Sequence, residues 1–283
     1  MDYYAIPPED FAKHRNWPFH FVKDTAELNE HAARIMVDLI GKNNEAGKPT
    51  SFILPTGPLD FRPWAALCNK EKVSLDAVTV YLMDEYIDDD DKPIPESHPL
   101  SFQASFRRSF VSRLDPGCHF SFDQVKAPTP QNAQAISDEI LGLGGVDLCF
   151  CGIGISGHLA FNDPPEPGDT TRDLDWVRNC TTRVIVTNRE TQTQMALLGT
   201  HGNWALIPRR AVTLGVKELL ASKTYHMTFM RSWHSGMMRR ACFGPISKDC
   251  PASLIQEHPN VEVTCTALAA QLPIINVTLD TDD

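Results

Sequence analysis

The chain has 283 residues, 42% hydrophobic and 22% charged, with 21 prolines and a formal net charge of −10. This is an ordinary globular composition with enough chain to bury a large core. An acidic chain without a basic block suits neither nucleic acid nor an anionic membrane, and no apolar run approaches the ~20 residues that span a bilayer. Residues 1–20 read as an irregular arm, and their lack of a basic stretch followed by an apolar one predicts no leader peptide. "DTAELNEHAARIMVDLIGKNNEAG" (24–47) predicts a helix, with Asp24 or Thr25 as N-cap and Gly47 as the stop. "SFILPTG" (51–57) predicts a strand ending in a turn, "DFRPWAALCNK" (60–70) a helix, and "AVTVYLMDEY" (77–86) a second strand. "HPLSFQASFRRSFVSRL" (98–114) is amphipathic, and "NAQAISDEILGLGG" (132–145) is a helix closed by glycines. "VDLCFCGIG" (146–154), apolar on both faces, predicts a central strand. Residues 182–188, 225–231 and 261–267 complete the strand candidates, with helical patterns between them.

Strands alternating with helices predict an α/β fold, with a mostly parallel central sheet covered on both faces. The absence of a repeat or a linker predicts a single domain over 1–283. The eight cysteines show no C-x-x-C pair, so buried free thiols, a reducing cytoplasmic setting and no zinc site are expected. In such sheets ligands bind beyond the carboxyl ends of the strands, and three strands end in unusual chemistry. "LPTGP" (54–58) reads either as a plain strand-to-helix turn or as an anion site of backbone N–H groups. In "MDEY" (83–86), Asp84 and Glu85 point to opposite faces. Each could cap the next element, or one could serve as a base in a partly desolvated pocket. In "GIGISGHLAFNDP" (152–164), Gly152, Gly154 and Gly157 loosen the backbone before His158, with Ser156 two residues ahead of it and Asp163 five beyond. A lone histidine is usually structural; its place after a glycine turn at the end of a central strand puts a functional role level with the structural one.

Taken together, "LPTG", "MDEY" followed by "HPLSF", "GGVDLCFCGIGISGHLAFNDP" and "AVTLGVKELLASK" resemble, in order and spacing, the glucosamine-6-phosphate deaminase family over residues 25–270. The wider superfamily includes 6-phosphogluconolactonase. The resemblance implies a Rossmann-like three-layer α/β/α sandwich. It also implies ring opening, C1–C2 proton transfer and ammonia release from an amino-sugar phosphate, without metal or organic cofactor. It places proton transfer on Asp84, ring opening on His158 and phosphate binding around Thr56 and Gly57, with Gly154 and Gly157 giving the close backbone approach to the sugar. Where the family orients its histidine with two carboxylates, this chain has Ser156 and the shorter Asp163. The family's phosphate-binding lysine aligns with His234, near Arg231. A family arginine has no clear counterpart: Leu197 takes its place, and Arg189 is merely close. The partner expected is therefore a hexose phosphate, with a homo-oligomer compatible with the reading. The alternatives are a lactonase-like hydrolase, in which His158 activates water, and a sugar-phosphate sensor without catalysis.

Overall fold

A computed structural model describes residues 2–273. In chain order, α1 (Phe11–His14) leads into β1 (Phe19–Val22), α2 (Thr25–Glu45), β2 (Thr50–Leu54), α3 (Arg62–Glu71), β3 (Val78–Leu82), β4 (Asp84–Ile87), α4 (Phe102–Ser109), β5 (Val125–Lys126), α5 (Ala133–Gly142) and β6 (Leu148–Cys151). There follow α6 (Leu174–Asn179), β7 (Arg183–Val186), α7 (Arg189–Leu198), β8 (Arg210–Thr213), α8 (Val216–Leu220), β9 (Thr224–Phe229), α9 (His234–Phe243), β10 (Val261–Thr266) and α10 (Ala267–Ala270).

Seven strands form a sheet in the order β1-β10-β9-β6-β2-β3-β5, and every pairing in it is parallel. The alternation of side chains along each strand divides the core in two. On β2, Phe52 and Leu54 pack into one cluster with Leu28, Met36 and Trp64 from α2 and α3, while Ile53 packs into the other. On β6, Phe150 joins the first cluster, and Cys149 and Cys151 join the second with Ile136 and Ile140 of α5 and Met238 of α9. Helices therefore cover both faces, which is the expected three-layer sandwich. All eight cysteines are free and buried.

The structure departs from the sequence reading in four places. The N-terminal arm is not wholly irregular: it contains α1 and runs into β1, an edge strand paired with β10. The run 77–86 is two strands rather than one. Met83 donates to the Leu54 carbonyl at 3.1 Å and accepts from Leu214 N at 2.9 Å. Beyond it the chain leaves the parallel sheet, and β4 pairs antiparallel with β8 in a small sheet of order β4-β8-β7. The amphipathic run 98–114 is α-helical only over Phe102–Ser109, capped by the Ser101 hydroxyl accepting from Ala104 N. Helix α3 starts at Arg62, so Thr56 and Gly57 lie in a loop and not at a helix N-terminus. The N-cap of α2 is Asp24, which accepts from Glu27 N at 3.0 Å. Among the described residues, no helix is long and apolar enough to cross a membrane.

Candidate active site

Strand order reverses between β2 and β6: from β2 the chain builds outward through β3 and β5, and from β6 it builds the other way. A crevice opens beyond the carboxyl ends of the strands at such a point. Here it is a cleft of about 210 Å³, floored by Thr56 and Gly57 after β2, Met83 and Asp84 after β3, Gly152–Gly154 after β6, and Met230 and Arg231 after β9. Helix α7 closes one side with Gln194, Met195 and Leu198. The two central loops touch: a Cβ on Gly152 would stand 3.2 Å from Pro58 Cγ.

His158 enters this cleft from the glycine turn. Its ring lies against Gly154, where any Cβ would fall 2.0 Å from Nε2. Glycine at 154 is thus required by the packing of the histidine. Gly157 has φ of +87° and abuts Cys250, where a Cβ would come within 2.9 Å of the sulfur. It shapes the turn but does not line the cleft, contrary to its expected contact with the sugar.

The imidazole is held from behind. Asp163 Oδ1 lies 2.9 Å from His158 Nδ1, 2.9 Å from Ser156 Oγ and 2.6 Å from Thr191 Oγ1. Asp163 Oδ2 accepts from Asn188 N at 3.1 Å. Burial alone would raise the Asp163 carboxyl, but His158, the Thr191 hydroxyl and the Asn188 amide outweigh it and hold the pKa at about 2. An ionised acceptor at Nδ1 assigns the proton to that nitrogen, leaving Nε2 as the ring's acceptor, with no protein partner among the described residues. Ser156 thereby has a physical account. Its hydroxyl, with that of Thr191, donates to the one carboxylate and stands 2.9 Å from the ring. Orientation that two carboxylates could supply comes here from one carboxylate and two hydroxyls.

Asp84 and Glu85 separate as the strand geometry requires. Glu85, fully buried, accepts from the backbone N–H groups of Tyr86 at 3.0 Å, Phe102 at 3.0 Å and Gln103 at 2.8 Å. It anchors the start of α4, where a carboxylate is favoured by the helix dipole. Asp84 faces the cleft instead. It is 7% exposed and its carboxyl makes no protein hydrogen bond among the described residues. Burial, with a smaller contribution from neighbouring Glu85, pushes its pKa well above the usual carboxylate range. A group in that condition can both take and return a proton.

The anion-binding candidates divide three ways. Thr56 Oγ1 is buried without a partner among the described residues, and the loop turns at Gly57 with φ of +119°. Arg231, exposed at the rim, forms no ion pair among the described residues. These fit an anion. His234 lines the cleft but is committed elsewhere: Nδ1 accepts from Met230 N at 2.8 Å and Arg231 N at 3.1 Å, and the ring also bonds the Ile153 backbone. Burial, and then Arg231, depress its pKa to about 3, so it carries no charge at neutral pH. It orders the loop after β9 and is not the cation expected there. Arg189 stands on the outer side of α7, lining separate surface hollows and not the cleft with Asp84 and His158.

No family model matches the chain. Among curated proteins it is 27% identical to glucosamine-6-phosphate deaminase of Rhodopirellula baltica over 263 residues, covering 89% of this chain and 94% of the relative. It is 26% identical to glucosamine-6-phosphate deaminase 2 of Bacillus subtilis, covering 87% and 95%. The chain is a homologue of the glucosamine-6-phosphate deaminases. Among solved structures, a monomeric glucosamine-6-phosphate deaminase matches with TM-score 0.75 and 23% identity, over 89% of this chain and 98% of that one. The 6-phosphogluconolactonase of Trypanosoma brucei matches with TM-score 0.63 and 15% identity, over 90% and 97%. Both likenesses are of fold.

Several residues of this deaminase homologue's cleft carried no mark in the sequence. Thr191 sits in "NRETQTQ" as one hydroxyl of a polar helix, and its contact with Asp163 crosses 28 residues. Gln194 accepts from Ile155 N at 2.7 Å, tying α7 to the glycine turn. Trp233 lies between Arg231 and His234, the two residues of "MRSWHSG" that charge reasoning singled out.

Proposed function

We propose that the cleft binds a hexosamine phosphate, opens its ring, moves a proton between C2 and C1, and releases ammonia to give a ketose phosphate. The observation that carries this reading is the pairing in one cleft of a buried carboxyl, Asp84, unpartnered among the described residues, with an imidazole whose Nδ1 is fixed by Asp163. Aldose–ketose chemistry needs one base that serves two adjacent carbons, and ring opening needs a separate acid–base group.

In this reading His158 Nε2 takes the proton of the C1 hydroxyl and gives it to the ring oxygen as the C1–O bond breaks, leaving an open-chain aldehyde. Asp84 takes the C2 proton and returns it to C1, while one proton of the C2 amine passes to O1, so that the aldehyde becomes a hydroxymethyl group beside a C2 imine. Water adds to the resulting C2 imine, and the C2–N bond breaks with loss of ammonia. Thr56, the Gly57 loop and Arg231 hold the phosphate, while Ser156 and Asp163 position His158 and Gly154 leaves room for its ring. The names of the curated relatives support the substrate class. The test is an assay that follows ammonia and ketose phosphate together from glucosamine 6-phosphate, with Asp84→Asn as the inactive control.

A further inference from the structure

Away from the cleft, a polar cluster lies between α2 and the β1 end of the large sheet. His20 of β1, His31 of α2 and His226 of β9 hold their ring centroids close: 4.9 Å for His20–His31, and 6.4 Å for both His20–His226 and His31–His226. Glu262 of β10, in register with His226, supplies one carboxylate. Its Oε2 lies 3.5 Å from His226 Nδ1 and 4.0 Å from His20 Nε2. His226 is 1% exposed, and its Nε2 lies 2.8 Å from Thr264 Oγ1. The buried nitrogens His226 Nδ1 and His31 Nε2 make no hydrogen bond among the described residues. The other carboxylate that acts on His31 is Glu27, one turn earlier on α2, and it is engaged by the Lys23 N–H at 2.7 Å.

Three imidazoles thus share one close carboxylate. A first proton on the cluster is offset by Glu262, whose carboxyl His226 holds below its usual range. A second proton would set two cations side by side without a second counter-charge, in a space partly closed to water. Burial first, then His20 and His226, push the His31 pKa down, and burial does the same to His226 against the opposing pull of Glu262. The folded cluster therefore binds fewer protons than the unfolded chain. The stability it contributes is complete above the ordinary histidine pKa of ~6.5 and falls as pH drops below it. The strand that gives way is set by the topology. Strands β9 and β10 are each paired on both sides, and α2 is anchored in the core by Leu28, Met36 and Ile40. Strand β1 is four residues long and paired on one side alone.

We propose that His20, His31, His226 and Glu262 form a proton-operated latch on β1: the edge strand stays docked while the cluster is neutral or singly protonated, and a second proton releases it. The inference does not depend on the reaction assigned to the cleft.

The experiment is amide hydrogen exchange of the full chain, read by mass spectrometry between about pH 5 and 8 and corrected for intrinsic exchange rates. It compares the peptide covering β1 with one covering β2 at the centre of the sheet. Expected is a β1 opening constant that is flat above about pH 7 and rises below about pH 6.5, by up to about ten-fold per pH unit for each proton the docked state excludes. Strand β2 stays protected throughout. His31→Gln removes one titrating ring from a half-buried helix position and should lessen the slope. Glu262→Gln removes the counter-charge and should steepen it. If either variant already exposes β2 at pH 8, its fold is damaged and the comparison passes to His20→Gln, at a position 40% exposed, which should lessen the slope as His31→Gln does. Exchange of β1 that is independent of pH, opening of β1 and β2 together, or a slope that these substitutions leave unchanged overturns the latch.

Discussion

Asp84→Asn separates stability from turnover. In the native protein the carboxyl is buried with no hydrogen bond among the described residues, and its pKa lies well above its ordinary 3.8, through burial first and Glu85 second. The native state therefore keeps a proton that the unfolded chain has already lost. Native stability falls as pH rises from about 4 towards the native pKa of Asp84, because there the folded state binds more protons than the unfolded one. Asparagine has no proton to lose, so the variant escapes this fall. Near pH 4 the two proteins should melt together. At higher pH the variant should be more stable by up to about 1.4 kcal/mol for each pH unit over which the native carboxyl keeps its proton, or roughly 3–6 °C per unit in a chain of this size. Turnover of glucosamine 6-phosphate should drop by roughly 10²–10⁴-fold, with binding retained. Thermal melts of both proteins between pH 4 and 8, with kcat at neutral pH, make the assay. A variant less stable at every pH, or one with near-normal turnover, would refute the reasoning.

Glu85→Gln leaves the cleft intact but weakens the anchor of three backbone N–H groups, so a loss of about 1–3 kcal/mol in chemical denaturation is expected, with a smaller fall in kcat than Asp84→Asn. Because His234 is neutral down to about pH 3, affinity for the phosphorylated sugar should show no loss on raising the pH from about 6 to 8 that Arg231→Ala does not also show. Arg231→Ala itself should weaken binding about 10- to 100-fold, the usual range for a charged hydrogen bond; unaltered affinity in a titration would remove Arg231 from the phosphate set. Gly154→Ala drives a methyl into the His158 ring, and a displacement of about 1 Å should cost roughly 10²-fold in kcat with the circular dichroism unchanged.

The parallel sheet was legible because its strands are continuous apolar runs, as in "SFILPTG" and "VDLCFCGIG", separated by helical periods. The chemistry at the strand ends was legible for a related reason: Asp84 and His158 interrupt runs that are otherwise apolar. Charge and spacing misled where the partner is backbone. His234 looks like a cation until its ring is seen to accept two N–H groups from the turn before it, and Arg189 is near α7's site-facing residues in sequence but projects to the other side of the helix. Strand β8, four residues long, gave no pattern long enough to read, and with it the small antiparallel sheet that carries Asp84 was missed. Thr191 escaped because a hydroxyl on a polar helix is ordinary until tertiary contact brings it to Asp163.

The central claim is that Asp84 and His158 together convert a hexosamine phosphate to a ketose phosphate and ammonia. The direct measurement incubates the purified protein with glucosamine 6-phosphate and, separately, with 6-phosphogluconolactone, quantifying ammonia, ketose phosphate and released acid in each. Ammonia and ketose phosphate in equal amounts from the first substrate, both lost in Asp84→Asn and in His158→Ala, is the predicted result. Acid release from the lactone that survives Asp84→Asn, with no ammonia from the amino sugar, would contradict it.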